Sequence, residues 1–371
     1  MGTRPEVIKL SPVHMALEQS PEIFESLLCV TAQHREMLDR AMADFGITAH
    51  EDLDLMVPGQ ELSELSGRVL EAVTRMLRRV SPHVLLVQGD TTSAAMGALA
   101  AFYERIPVGH VEAGLRTGDP YNPFPEEINR RIITDVATWH YAPTQTAVDA
   151  LLREGVRTDA VTLTGNTVVD ALLFMSQQVG EPPASDKRLI LVTAHRRESF
   201  GPSFEAICLA LRDIVRRNPD VEIVYPVHLN PNVRRPVESV LGAEPRVELR
   251  EPVGYRELVG LMKASYLVLT DSGGIQEEAP VLGKPVLVMR RVTERPEAVA
   301  AGVARLVGTD RTRIVEETER LLKDPRAYAQ MARSVSPYGD GHAAERIAAH
   351  LALAATSDRT TPVTPATTAG D

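Results

Sequence analysis

Two cysteines in 371 residues, Cys29 and Cys208, are too few for a disulfide framework or a thiolate zinc site. Both lie in apolar surroundings and read as buried thiols. No run approaches the roughly 18 apolar residues of a membrane helix, and no signal peptide opens the chain, so no membrane partner is expected and the cytoplasm is the expected location. Positive charge is not in excess: 40 Lys and Arg against 50 Asp and Glu give a formal net charge of -10. That balance argues against a non-specific nucleic-acid binder, which would be basic. It still permits a phosphorylated ligand, provided cations are concentrated in one cleft. The histidines are scattered without HxxxH or HExxH spacing, so no metal site is expected. There is no Gly-x-Ser-x-Gly elbow and no Walker lysine loop.

What is present is a globular composition in a chain long enough for two domains, each with its own core. Short β-branched runs alternate with longer amphipathic segments. The first half offers strands at 27–31, 84–88, 108–111, 140–142 and 161–164, and the second half at 189–193, 222–227, 247–249, 266–270, 286–289 and 304–307. Helical patterns lie between them, for example 62–79, 204–217 and 312–322. Such alternation predicts an α/β fold of parallel sheets with helices on both faces. Two runs joined by the polar, Pro-containing link 180–187 predict two doubly wound, Rossmann-like domains facing across a cleft. The expected division is 1–170 and 171–340, with a last helix at about 341–356 crossing back onto the first domain. The Thr/Pro/Ala-rich tail 357–371 is expected to be disordered. The loop Gly2–Glu6 reads as one that follows a strand, yet only Met1 precedes it. A parallel α/β domain normally begins with a central strand. Without it one ladder face is unpaired, a destabilisation of several kcal/mol, roughly.

Ligands of doubly wound sheets bind at the carboxyl ends of the strands, so the residues just after each strand carry the chemistry. Tyr266–Pro280 reads as a strand, a Gly273-Gly274 break and a helix that Pro280 ends or kinks. The first N–H groups of such a helix converge on one spot that favours phosphate, with the Ser272 hydroxyl as a further donor and Asp271 or Ser272 as cap. Glu278, in the first turn, suits sugar hydroxyls rather than phosphate. Three carboxylates cluster at the first sheet's rim: Asp90 after one strand, Glu112 after the next, and Glu126 at a helix start. Singly, Asp90 and Glu126 could be helix caps and Glu112 the partner of Arg116. Together they suit acid/base work, because carboxylates sharing a cleft push one another's pKa values apart. Cations complement them: Arg4 and Lys9 near the amino terminus, His195 with Arg196 behind it, His228, and Arg295, placed to reach a phosphate or Glu278.

Ten ordered blocks now read together: GTRPEVIKLSP (2–12), TAQHREMLD (31–39), QGDTTS (88–93), HVEAGLRTGD (110–119), PEEINR (125–130), TGNTVVDAL (164–172), TAHRRESFG (193–201), PVHLNPNV (226–233), TDSGGIQEEAP (270–280) and TERPEAV (293–299). Over about residues 2 to 350 they resemble the non-hydrolysing bacterial UDP-N-acetylglucosamine 2-epimerases. The resemblance implies a fold of the glycosyltransferase-B type and a UDP-sugar in the interdomain cleft. It also implies a homodimer, and interconversion of UDP-N-acetylglucosamine and UDP-N-acetylmannosamine without NAD or a metal. The implied route removes the C2 proton with loss of UDP, giving a held 2-acetamidoglucal to which UDP adds back.

Matched by position, Asp90, Glu112 and Glu126 are implied proton-transfer groups, with Arg4 and His195 stabilising the departing diphosphate. Lys9 and Arg116 complete the set near the sugar. Ser272, Gly273 and Gly274 would hold phosphate oxygens, Glu278 the ribose, with Arg295 nearby and the uracil near Val253 to Leu258. Gln33, His34, Arg196 and His228 match part of a second, activating UDP-N-acetylglucosamine site of some members. The position of an arginine used there in some relatives is Gly59 or Gln60 here. The rival readings are a glycosyltransferase of the same fold, a hydrolysing 2-epimerase that would release free N-acetylmannosamine, and a catalytically silent UDP-sugar sensor. Exchange of the C2 proton with solvent separates the epimerase from a transferase or a sensor.

Overall fold

A computed structural model describes residues 1–31, 35–57, 59–182 and 185–358; Gln33, His34 and the tail 359–371 lie outside the described residues. Among the described residues twelve strands alternate with helices: β1 (Cys29–Val30), β2 (Glu51–Asp52), β3 (Leu85–Gln88), β4 (Val108–Val111), β5 (Trp139–Ala142), β6 (Val161–Leu163), β7 (Arg188–Thr193), β8 (Val221–Pro226), β9 (Val247–Arg250), β10 (Leu267–Thr270), β11 (Val286–Val288) and β12 (Ala304–Leu306). Every ladder is parallel. All residues of β4 and β10 are buried, as strands covered by helices on both faces must be.

The second half forms one six-stranded sheet in the order β9-β8-β7-β10-β11-β12. This is a doubly wound order, with its first strand central and a topological switch between β7 and β10. The first half is divided into a β1-β2 pair and a four-stranded β3-β4-β5-β6 ladder. β2 was not foreseen: two acidic residues carry no strand signal, and only pairing with β1 extends them. The helix expected over 275–282 begins two residues earlier and stops ahead of Pro280, where an end or kink was expected. The α-helix starts at Gly273 and ends at Glu278, and a 3₁₀ turn, Ala279–Leu282, replaces its last part. Pro280 lacks an N–H to continue the i→i−4 ladder, which favours the tighter turn.

Helix Arg4–Glu18 begins with Pro5 in its first turn, where an N–H would be unpaired anyway. Thr3 does not cap it with its side chain. Instead the buried Glu6 carboxylate accepts from Gly2 N (3.0 Å), Thr3 Oγ1 (2.8 Å) and Thr91 Oγ1 (3.1 Å), folding the 2–6 loop against β3's carboxyl end. One apolar core runs between the two sheets, with Phe45 stacked between Phe174 (5.7 Å) and Tyr255 (5.9 Å).

The last helix, Ala343–Asp358, packs Ala344, Ile347 and Leu351 against Leu10, Val13 and Leu17 of the first. Asp170 fastens its start by accepting from Ala344 N at 2.8 Å. Burial pushes the Asp170 carboxyl up to about 6, against the pull of the backbone N–H groups. A carboxyl raised on folding stabilises most below its unfolded value and loses that contribution as pH rises through 6. Asp170→Ala should therefore cost more at pH 4 than at pH 8, by about 2–3 kcal/mol at most. Urea denaturation at the two pH values measures the difference.

Candidate active site

The carboxyl ends of both sheets converge, and the three carboxylates of the first sheet stand at that rim. Glu112 follows β4 with φ 65°, a left-handed conformation costing about 1 kcal/mol or more for a side chain with a Cβ. It is buried and held from three sides: Lys9 Nζ and Asn166 Nδ2 (2.9 Å) reach Oε1, and Gln88 Nε2 reaches Oε2. Burial would raise its carboxyl, but Lys9, Arg295 and the hydrogen bonds together lower it, so Glu112 is a fixed anion. Asp90, after β3, pairs with Arg130 at 2.6 Å and keeps a quarter of its side chain exposed. Glu126 opens helix Glu126–Val136, and among the described residues its buried Oε2 has no partner.

Neither Asp90 nor Glu126 is a helix cap. Thr91 caps the helix after β3, accepting from Ala94 N, and Pro125 occupies the cap position before Glu126. Nor does Glu112 pair with Arg116. The Arg116 guanidinium is committed to Glu154 (2.8 and 2.7 Å) and Thr134 (2.9 Å), because that carboxylate presents a bidentate fork. Arg116 is thereby turned away from the rim carboxylates.

From the second sheet comes a cationic cradle. Ser272 occupies the N-cap position of Gly273–Glu278 without a side-chain cap bond. The atoms nearest to a Cβ built on Gly273 would be Arg196 Nη2 and Arg295 Nη2 at 3.9 Å and Arg295 Cζ at 4.0 Å, so an oxygen can approach this backbone between two guanidiniums. Asp271 is not a cap either. It accepts the backbone N–H groups of His195 and Arg196, both at 2.7 Å, which fixes the loop after β7. His195 stacks on His228 with ring centroids 5.3 Å apart and planes 5° from parallel. Burial lowers the His195 pKa, Asp271 opposes this, and His228 lowers it further. Arg196 and His228 thus stand beside His195 at the same mouth.

Two contacts close the ring around the cleft. Arg4 Nη1 approaches Val253 O at 3.5 Å, and burial, opposed by Glu278, lowers its pKa. Tyr255 donates to Glu278 Oε1 at 2.7 Å, while the partly buried Leu258 packs on the core beside it. Burial pushes Glu278 up to about 7, with Tyr255 pulling it down.

A buried network missed by sequence reasoning joins the halves. Glu277, 1% exposed, pairs with Arg295, lies 3.9 Å from Lys9 and accepts from Asn166 Nδ2 at 3.3 Å. Arg295 therefore pairs with Glu277 and not with Glu278. Burial would lower Lys9, but Glu112 and Glu277 raise it on balance. The EE dipeptide at 277–278 signalled two carboxylates, but nothing local told which would face the cations. Glu127, fully buried, is a second omission. It accepts from Thr117 N (3.1 Å), Gly118 N (3.2 Å) and Arg130 (3.2 Å), anchoring the 117–125 loop beside Glu126.

Residues 15–352 match the family model for UDP-N-acetylglucosamine 2-epimerase. The chain is 55% identical over 359 residues to the UDP-N-acetylglucosamine 2-epimerase of Escherichia coli strain K12, covering 93% of this chain and 95% of that protein. It is similar to the crystal structure of UDP-GlcNAc 2-epimerase from Neisseria meningitidis bound to UDP-GlcNAc, with 44% identity and TM-score 0.89 over 94% of this chain and 97% of that one. The glycosyltransferase SnogD of Streptomyces nogalater shares the fold alone, at 18% identity and TM-score 0.59 over 94% of this chain and 95% of that one.

Proposed function

This chain belongs to the UDP-N-acetylglucosamine 2-epimerase family, and from that premise we propose how its cleft inverts C2 of UDP-N-acetylglucosamine to give UDP-N-acetylmannosamine. The diphosphate lies on the Ser272–Gly274 backbone between Arg196 and Arg295, with Arg4 and His195 turned to its leaving oxygen. Glu278 accepts the ribose hydroxyls, and the uracil stacks near Val253–Leu258. The sugar then points at the carboxylate rim of the first sheet.

A carboxylate takes the C2 proton, the C–H electrons form the C1–C2 double bond, and the C1–O bond breaks with its electron pair leaving on UDP. The 2-acetamidoglucal stays in the cleft. A second carboxyl protonates C2 from the opposite face as a phosphate oxygen of UDP returns to C1. Glu112 already accepts three hydrogen bonds and is held as an anion, so it is a poor proton carrier. Its charge stabilises the cations around the site. That leaves Asp90 and Glu126 as the exchanging pair, and the free buried oxygen of Glu126 is the observation that carries this assignment. Incubation with UDP-N-acetylglucosamine alone, in chelator and without NAD, should give both epimers. Build-up of free N-acetylmannosamine and UDP would identify a hydrolysing enzyme instead.

Glu278 accepts hydrogen bonds from hydroxyls most strongly when ionised, and burial pushes its carboxyl up to about 7. UDP affinity should therefore fall below pH 7, by no more than about tenfold per pH unit, and calorimetric titration between pH 6 and 8 reads this. Tyr255→Phe, which removes the one donor, should move the midpoint upward; an unchanged midpoint would remove Glu278 from the ribose site. The homodimer implied by the resemblance is tested by sedimentation equilibrium, where a single-chain mass at micromolar concentration counts against it.

A further inference from the structure

Asp90 sits in the turn between β3 and the helix that Thr91 caps, and two buried side chains hold that turn by its main chain. His110, on β4 and fully buried, bonds through Nε2 to Gly89 O at 2.8 Å. A carbonyl only accepts, so Nε2 carries the ring proton. Burial keeps this imidazole neutral, lowering its pKa to about 3, and among the described residues its Nδ1 has no partner. Gly89 itself stands at φ 72°, a conformation that a residue without a Cβ adopts freely. His110 therefore ties the turn to the neighbouring strand of its own sheet.

Asn129 ties it to a helix instead. Its side chain is buried and donates from Nδ2 to Asp90 O at 2.9 Å. Asn129 lies on helix Glu126–Val136, three residues after Glu126 and one before Arg130. Positions i, i+3 and i+4 share one face of a helix. One face thus carries the second exchanging carboxyl, a donor to the Asp90 main chain, and the guanidinium that meets the Asp90 carboxylate at 2.6 Å. The two grips on Asp90 respond differently to the reaction. Once Asp90 has taken up a proton its pull on Arg130 falls, because a neutral carboxyl brings no charge to the pair. The amide-to-carbonyl bond involves no titrating group and persists in both protonation states.

Resting on the assignment of Asp90 and Glu126 as the exchanging pair, we infer that Asn129 is a positioning residue for the reaction. It holds Asp90 in register with Glu126, so that the two carboxyls keep opposite faces of C2 through a whole turnover. Asn129 acts through Asp90 and not on the sugar. A displacement of about 1 Å at a reacting group costs on the order of 10²-fold in rate, so a single lost hydrogen bond here is expected to show in kcat.

Asn129→Leu, which keeps most of the volume and removes the donor, should lower kcat by about 10- to 100-fold. KM and UDP affinity should stay within about threefold, since the nucleotide cradle is on the second sheet. An isotopic readout separates this from a structural role. With Asp90 released and Glu126 in place, Glu126 takes the C2 proton as UDP leaves and exchanges it with D₂O. The deuteron returns to the same face as UDP adds back. The epimer that Glu126 deprotonates should therefore gain deuterium at C2 without inverting, while the other epimer exchanges slowly; each pure epimer is followed by NMR. Asn129→Ser, whose hydroxyl is too short to reach Asp90 O, should behave alike, so the result does not hang on one variant. Added to Asp90→Asn, Asn129→Leu should cost no more than about a further twofold. Equal loss of exchange in both epimers, or losses that multiply in the double variant, overturn the inference. Full activity of Asp90→Asn alone would remove the exchanging pair and the inference together. An inactive Asp90→Asn beside fully active Asn129 variants overturns the positioning role alone.

Discussion

Asp90→Asn loses epimerisation by about 10²- to 10⁴-fold, the range for removing a positioned proton-transfer group, while UDP affinity stays within about threefold. Asp90 stands on the first sheet and the nucleotide cradle on the second, so the substitution leaves the cradle untouched. The fold should also tolerate it. Arg130 loses the 2.6 Å pair with Asp90 but keeps Glu127 at 3.2 Å, so no buried cation is stranded. Coupled kinetics and calorimetric titration with UDP give the two numbers. Full activity would remove Asp90 from the chemistry, and a parallel loss of UDP binding would make its role structural.

Lys9→Met should lower stability by about 3–5 kcal/mol, as removing one member of a buried ionic group does. Lys9 is the one cation paired with Glu112 among the described residues, and it also lies 3.9 Å from Glu277. Met keeps most of the side-chain volume, so the loss reports charge rather than a cavity. With Lys9 gone, only Arg295 and the remaining hydrogen bonds oppose burial, so the Glu112 carboxyl rises. The deficit should therefore shrink towards acid pH, where protonation removes the stranded charge. Lys9→Met combined with Glu112→Gln should recover at least about 1 kcal/mol of the loss, a coupling that independent sites would not show. Chemical denaturation of the single and double variants at pH 5 and pH 8 measures both effects. Additive losses would mean that the pair contributes nothing as a pair.

The sequence carried the strand–helix alternation because short, mostly apolar runs such as Val108–Val111 and Leu267–Thr270 are buried along their whole length. It carried the positions of the rim carboxylates because residues just after parallel strands face the ligand crevice. Partner choice was another matter. Lys9 meets Glu112 across 103 positions and Asn166 meets Glu277 across 111, and no local pattern encodes such a meeting. Asp271 and Arg116 show the same limit in reverse. Both were read from their immediate neighbours, as a cap and as a partner of Glu112. Both are engaged by groups on other elements, the His195–Arg196 amides and Glu154.

The central claim is that the carboxylate rim exchanges the C2 proton of a bound UDP-sugar, and solvent deuterium tests it most directly. The protein is incubated with UDP-N-acetylglucosamine in D₂O and C2 is followed by NMR. The account predicts one deuterium at C2 of the UDP-N-acetylmannosamine formed, and progressive labelling of the recovered UDP-N-acetylglucosamine. Epimerised product that keeps its original hydrogen at C2, or binding with no exchange at all, would contradict it.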